Sequence, residues 1–189
     1  MKKYWCGSNF WLLLNQSGKK WGKVVKPNLI LLLLFLQVTD HFNSAMFNSQ
    51  YECKLDPKGR LVLPAKIKAA IPEANGTTLM LRMAEDKCLA LYPMVEYKKL
   101  ENQVKSLSIN NAEQRMLQRS FFISSVEVEL DSTGRLLLPK LYQVYAGLEK
   151  DLIVVGMGSR IEIWSPEKYL QNIIADPADL SSLMEKYLS

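Results

Sequence analysis

The stretch Glu52-Cys-Lys-Leu-Asp-Pro-Lys-Gly-Arg-Leu-Val-Leu-Pro64 returns at a fixed offset of 75 residues as Glu127-Val-Glu-Leu-Asp-Ser-Thr-Gly-Arg-Leu-Leu-Leu-Pro139. Leu55, Asp56, Gly59, Arg60, Leu61, Leu63 and Pro64 are matched by Leu130, Asp131, Gly134, Arg135, Leu136, Leu138 and Pro139, seven identities in ten positions. Self-similarity at a constant offset marks an internal duplication. The likeness continues downstream. Helical stretches follow both prolines, apolar strands are predicted over residues 78–83 and 152–155, and second strands over 88–92 and 160–164, each closely followed by Pro93 or Pro166.

Each unit has the same physical grammar. Alternation through Tyr51, Cys53 and Leu55 predicts a strand with one buried face. Asp-Pro-Lys-Gly then places Asp and Pro at the first two turn positions and Gly where φ must be positive. The second copy, Asp-Ser-Thr-Gly, keeps the Asp and the Gly and lets the middle pair vary. The next strand stops at a proline suited to the first position of a helix. Gly147 is expected to end the helix begun at Pro139, and Gly76 to lie in the turn before the following strand. A unit of about 45 residues is marginal alone, because folds below about 60 residues bury too little surface. The two units should share one core, most simply as interlocked halves of a small barrel.

Between the units, Tyr97, Leu100 and Val104 form one helical stripe within residues 93–107. A second helix is predicted from Asn110, with Glu113 completing a capping box, to about Arg119. Ser165-Pro166 opens a helix carrying Tyr169, Leu170 and Ile173, and Asp176-Pro177 with Asp179 caps a last one. Apolar residues left exposed on these stripes are candidate subunit contacts. The domain plan is an extension at 1–45, a first repeat at 50–97, a helical connector at 98–125, a second repeat at 130–173 and a C-terminal helix at 174–189.

The formal charge of +5 is unevenly held. Residues 1–45 carry six lysines against Asp40, whereas residues 46–189 carry 18 basic and 18 acidic residues. If the duplicated part binds nucleic acid, it must gather cations on one face and multiply them by self-association. Cys6, Cys53 and Cys88 contain no CxxC pair and read neither as a disulfide framework nor as a zinc site. The single histidine, His41, lies outside the duplication, which removes histidine triads and imidazole acid/base chemistry from it. No catalytic residue, metal or cofactor is expected.

Leu29-Ile-Leu-Leu-Leu-Leu-Phe-Leu36 is eight apolar residues long, against about 20 for a membrane span. Lysines precede it as in a signal peptide, but residues 39–45 lack a convincing small-x-small cleavage site. The favoured reading of residues 1–45 is an over-extended reading frame whose natural start is Met46. A translated but dispensable extension and a secretion or anchoring signal are the alternatives. With Met46 as the start the product has 144 residues and no targeting segment, and its expected compartment is the cytoplasm.

Asp56 with Arg60, and Asp131 with Arg135, are the constellations to explain. The aspartates read as turn formers that accept hydrogen bonds from their own turns, with Gly59 and Gly134 completing the geometry. The arginines read either as structural partners of the aspartates four residues before them or as groups held by a rigid turn for phosphates or guanine edges, and the resemblance given below favours the second. Two pseudo-symmetric carboxylates could share a proton as in aspartic proteases, but each Asp stands three residues before its Gly in a polar turn. Lys54, Lys58, Lys66 and Lys68 cluster around the first turn, against Lys140 alone near the second, so the first unit is expected to dominate DNA contact. Arg115 and Arg119, four apart on one helix, read either as interface salt-bridge groups or as phosphate contacts. Gly156-Met-Gly158 reads as a hairpin turn, too short for a phosphate loop.

The doubled Leu-Asp-x-x-Gly-Arg-Leu-x-x-Pro, with Leu-Ala-Leu-Tyr-Pro at 89–93, Gln-Arg at 118–119, Tyr-Ala-Gly-Leu-Glu-Lys at 145–150 and Ile-Glu-Ile-Trp at 161–164, resembles the MraZ family of AbrB-like transcriptional regulators. The likeness runs from Met46 to about Ile174. It implies a mainly β fold with short helices, in which two AbrB-like swapped-hairpin repeats form one pseudo-symmetric barrel. It also implies a homo-oligomeric ring, octameric or larger. The implied function is sequence-specific binding to repeated boxes of double-stranded promoter DNA, with repression of the division and cell-wall gene cluster and a nucleoid-associated place in the cytoplasm. No membrane partner is implied. The family's Asp-x-x-x-Arg falls on Asp56 and Arg60 and on Asp131 and Arg135, with the arginines as DNA contacts. One departure is Met46-Phe47-Asn48-Ser49, where the family often begins Met-Phe-Arg-Gly. The competing reading is a protein-binding scaffold or antitoxin-like module. An antitoxin would pair one such unit with a disordered tail, whereas a second folded unit and capped helices stand here.

Overall fold

The computed structural model describes residues 4–6, 10–12, 46–72 and 76–188. The chain divides into two units, Met1–Asn43 and Ser44–Ser189. In the first, β1 (Tyr4–Cys6) and β2 (Phe10–Leu12) pair antiparallel with Trp5 opposite Trp11. The apolar block at 29–36, the cleavage-site reading at 39–45 and His41 lie outside the described residues. Among the described residues no helix is long and apolar enough to cross a membrane.

The second unit repeats one order of elements. The first copy runs β3 (Gln50–Lys54), β4 (Arg60–Val62), α1 (Ala65–Ala69), β5 (Thr78–Met83) and β6 (Leu89–Pro93). Two helices follow, α2 (Met94–Lys105) and α3 (Ala112–Ile123). The second copy is β7 (Ser125–Glu129), β8 (Arg135–Leu137), α4 (Lys140–Ala146), β9 (Asp151–Met157) and β10 (Arg160–Trp164). The helices α5 (Pro166–Gln171) and α6 (Pro177–Leu188) close the chain.

Six strands form one antiparallel sheet in the order β3-β9-β10-β6-β5-β7, and β4 and β8 form a separate two-stranded ribbon. Each copy gives its first strand to the other: β3 pairs with β9, and β7 with β5. The pleat sends alternate side chains to opposite faces. Leu79, Leu81, Leu89, Leu91, Leu152, Val154, Ile161 and Ile163 join one buried cluster with Leu61 and Leu136 of the ribbon, Ile67 of α1 and Tyr142 and Ala146 of α4. Met80, Ala90, Tyr92, Ile153 and Trp164 join a second cluster with Tyr97 and Val104 of α2 and Phe121 of α3. The central strands are therefore buried on both faces, which is why Leu-Ala-Leu-Tyr-Pro at 89–93 is apolar without alternation.

This corrects the expected fold. The sheets are open: β3 and β7 stand at the two edges and do not pair with each other, so no closed barrel forms. Nor is the protein mainly β with short helices, since α2, α3 and α6 each have twelve residues. The physical reason is that separate layers already cover both faces of the sheet, so its apolar surface is buried without curling closed. The exposed charges of Glu52, Lys54, Glu127 and Glu129 guard the edges against pairing with other chains.

Local boundaries follow the residues. Pro64 and Pro139 are N-caps, one position before the helices begin, and not the first helical residues expected from sequence. Gly147 ends α4 in the left-handed conformation, φ 64°. The cap of α3 is Asn111, not Asn110; its side chain accepts from the amides of Glu113 and Gln114. The helix also runs on past Arg119, because Phe121 is buried and stacks on Tyr97 with ring centroids 5.6 Å apart. Of the two glycines at 156 and 158, only Gly158 turns, at φ 68°, while Gly156 lies within β9. The backbone of Phe47 and Asn48 passes where a Cβ on Gly156 would stand.

Candidate nucleic-acid interface

In the ribbon Arg60 lies opposite Leu137, Leu61 opposite Leu136, and Val62 opposite Arg135. Leu61 and Leu136 are fully buried and face the core, so the outer face carries Arg60, Val62, Arg135 and Leu137. Because the strands run antiparallel, each arginine stands beside its own turn at opposite ends of that face.

The two turns are built alike. In the first, Asp56 Oδ1 accepts from the amides of Lys58 at 2.8 Å and Arg60 at 2.9 Å. Its Oδ2 accepts from Arg60 Nε and Nη2, both at 2.7 Å. In the second, Asp131 Oδ1 accepts from the Thr133 amide at 2.9 Å, its hydroxyl at 2.6 Å and the Arg135 amide at 2.9 Å, while Oδ2 accepts from Arg135 Nε at 2.7 Å. Gly59 and Gly134 both have φ +77°, which L side chains rarely adopt, and so supply the conformation expected of them.

These bonds stabilise the ionised carboxyls. The Arg60 amide, then its guanidinium, holds Asp56 below the usual carboxylate range. The Thr133 hydroxyl, then the Arg135 amide, does the same for Asp131 more strongly. A guanidinium has five N–H donors in a rigid fork. The aspartate fixes the Nε side of each arginine, which leaves the terminal Nη1 edge for a ligand. Each aspartate is occupied by its own turn, an arrangement with no role for a proton shared between them.

The turns also lock across the duplication. The Leu138 amide donates to the Gly59 carbonyl at 2.9 Å, and the Leu63 amide to the Gly134 carbonyl at 3.2 Å. The side chain of Gln143 lies where a Cβ on Gly59 would stand, and that of Lys68 where one on Gly134 would stand. Lys68 and Gln143 are equivalent in the 75-residue repeat. Lys68, grouped with the first turn on sequence grounds, therefore sits at the second. The two ends of the ribbon share basic charge more evenly than the sequence suggested.

The remaining candidates are scattered. Lys58 is exposed at the tip of the first turn, but Lys54 lies on β3 opposite Asp151, and Lys66 is exposed on α1. Arg115 Nη1 donates to the Ile109 carbonyl at 2.6 Å and so fastens the loop before α3. Arg119 is exposed on α3. Sequence reasoning gave no role to three side chains that matter here. Gln143 donates to the Leu138 carbonyl at 2.6 Å, Gln118 donates to the carbonyls of Val104 and Leu107, and Thr133 caps Asp131. The signal for Gln143 was its equivalence to Lys68 on a helix face that is otherwise buried.

Among the described residues no group of three or more His, Cys, Asp or Glu could hold a metal. Cys53 and Cys88 are free thiols, and burial pushes that of Cys88 up to about 12.

A family model described as "MraZ protein, putative antitoxin-like" matches residues 46–120 and again residues 121–183. The transcriptional regulator MraZ of Cytophaga hutchinsonii is 46% identical over 143 residues, covering 76% of this chain and 95% of that protein. Its counterpart in Heliobacterium modesticaldum is 42% identical over 124 residues, covering 66% and 84%. That of Clostridium beijerinckii is 39% identical over 141 residues, covering 75% and 96%.

Proposed function

Given that this chain belongs to the MraZ family of transcriptional regulators, we propose that it binds duplex promoter DNA through the outer face of its β4-β8 ribbon. The observation that carries the reading is the pair of buttressed arginines: Arg60 and Arg135, each fixed by an aspartate four residues earlier, at opposite ends of one exposed two-stranded ribbon. A guanidinium held in one rotamer forfeits less freedom on binding and matches the O6 and N7 acceptors of guanine through its terminal edge. Lys58 and Lys68 contact phosphates and set register rather than sequence. Lys54 and Lys66, off the ribbon, add general attraction.

In this reading the repeats at 50–97 and 130–173 carry the two DNA-facing turns, residues 98–125 connect them, and residues 174–189 join copies. Residues 46–189 have no net charge, so one subunit offers little long-range pull on phosphate. Affinity comes from several copies in a ring engaging repeated promoter boxes together. The supply of exposed apolar surface supports assembly: Leu180, Leu183, Met184, Tyr187 and Leu188 form one stripe on α6, and Met116, Leu117 and Ile123 remain exposed on α3. The protein acts as a repressor of the division and cell-wall cluster, in the cytoplasm at the nucleoid.

The test is salt-dependent binding of the full chain to the DNA upstream of its own gene, with a scrambled duplex and Arg60→Ala alongside. Preferential binding that the substitution abolishes supports the reading. Equal binding to both duplexes, or none by folded protein, moves the ribbon to the role of a protein-binding scaffold.

A further inference from the structure

The outer face of the ribbon holds two side chains that the fold does not use. Val62 and Leu137 are 56% and 57% exposed, although Leu61 and Leu136 beside them are fully buried. They occupy equivalent positions in the duplication, two residues after Arg60 and Arg135. The same duplication lets the middle of the turn drift from Pro-Lys to Ser-Thr, yet keeps an aliphatic residue at this solvent-facing site in both copies. Each is also the direct cross-strand neighbour of the other copy's arginine, Leu137 of Arg60 and Val62 of Arg135. Such pairs bring Cβ atoms to about 5 Å.

We propose that Val62 and Leu137 are specificity-determining residues that pack on the C5-methyl groups of thymines in the major groove, beside the bases met by Arg60 and Arg135. The inference rests on the DNA reading above and deepens it by assigning a second kind of base contact to the same face. Two strands about 4.8 Å apart fit a groove about 12 Å wide, and ribbons of this kind are an established means of major-groove recognition. The groove meets both halves of the face: its acceptors match the guanidinium edges, and the thymine methyl is its one apolar feature. The difference in reach between valine and leucine makes the two ends of the ribbon unequal readers, so the preferred box should be asymmetric.

The experiment uses the full chain and a duplex enriched by it from a random-sequence library, made once with thymine and once with deoxyuridine throughout. The replacement removes the C5-methyl groups and keeps every hydrogen-bonding edge. The wild-type chain should lose about fourfold in affinity for each methyl buried, the equivalent of ~0.8 kcal/mol. Val62→Ala/Leu137→Ala should bind the thymine duplex more weakly and show a thymine-to-deoxyuridine ratio near one. Arg60→Ala should bind weakly but keep a ratio above one.

Equal wild-type affinity for the two duplexes overturns the proposal and leaves the DNA reading standing. A double variant that keeps the full ratio also overturns it. So does one that changes only the sedimentation of the chain, which would assign these residues to contact between copies. If no sequence is enriched at all, base reading by this face fails, and the proposal with it.

Discussion

The Leu138 amide reaches the Gly59 carbonyl at 2.9 Å, so the strand end of the second copy closes the turn of the first. Leu63 makes the reciprocal bond to Gly134. Each arginine-bearing turn is thus completed by a residue about 70 to 80 positions from it, and its rigidity is a property of the whole interlocked unit.

The two turn glycines should differ in their tolerance of substitution. Alanine at either pays for left-handed backbone, about 1–3 kcal/mol. At Gly59 the new methyl also meets Gln143, which is buried and bonded to the Leu138 carbonyl; losing that bond adds about 1 kcal/mol. At Gly134 it meets the exposed, flexible end of Lys68, which can swing aside. Urea unfolding of the full chain should rank wild type above Gly134→Ala and that above Gly59→Ala. The reverse order would deny Gln143 its supporting role.

Acid should weaken the protein through the same turns. Asp56 and Asp131 are both more acidic than a free carboxyl. Their contribution to stability is complete above the unfolded value of about 3.9 and is lost as pH falls through the lower folded values. Asp131→Asn should be less stable than wild type at neutral pH, and the gap should narrow below about pH 4. Thr133→Val, which removes the first of the groups acidifying Asp131, should make the pH-dependent part of the gap smaller and complete its loss at a higher pH. A gap independent of pH would remove Asp131 as its source.

Arginine and lysine substitutions on the ribbon should be separable by salt. Arg60→Ala should cost about 1–3 kcal/mol of binding to an enriched duplex and relax sequence discrimination. Arg60→Lys should not rescue it, because an ammonium cannot bridge Asp56 and two guanine acceptors together. Lys58→Ala should weaken every duplex alike and lower the salt slope by about one. Unchanged affinity in Arg60→Ala would remove the turn arginine as the reader.

The stripe on α6 should carry assembly. Leu180 and Leu183 are both exposed, so replacing them with glutamate should leave the circular dichroism of the folded chain unchanged. Sedimentation should then show a smaller particle, and affinity for a duplex with several boxes should fall toward that for one box. A particle of unchanged size would place the contact elsewhere.

Much of the local structure was readable from residue type and spacing, and most of the three-dimensional arrangement was not. The strand over residues 78–83, the positive φ at Gly59 and Gly134 and the end of α4 at Gly147 follow from short-range rules. Whether a sheet closes depends on what covers its faces, and that is decided by Phe121, Tyr97 and Leu61 packing from separate layers. The cap at Asn111 instead of Asn110 was a choice between adjacent equivalent side chains. Lys68 was misplaced because its position along the chain lies by one turn and its position in space by the other.

The exchange of first strands has a consequence for synthesis. Among the described residues, β3, at Gln50–Lys54, finds its sheet partner only in β9, at Asp151–Met157. On the ribosome it must wait, with Tyr51 and Cys53 uncovered, while roughly a hundred further residues are polymerised at about 5–20 residues per second. A stalled or truncated message would release a chain holding one complete copy of the repeated sequence motif but an unfinished turn and an unpaired strand, a product for proteases and chaperones rather than a half-strength regulator.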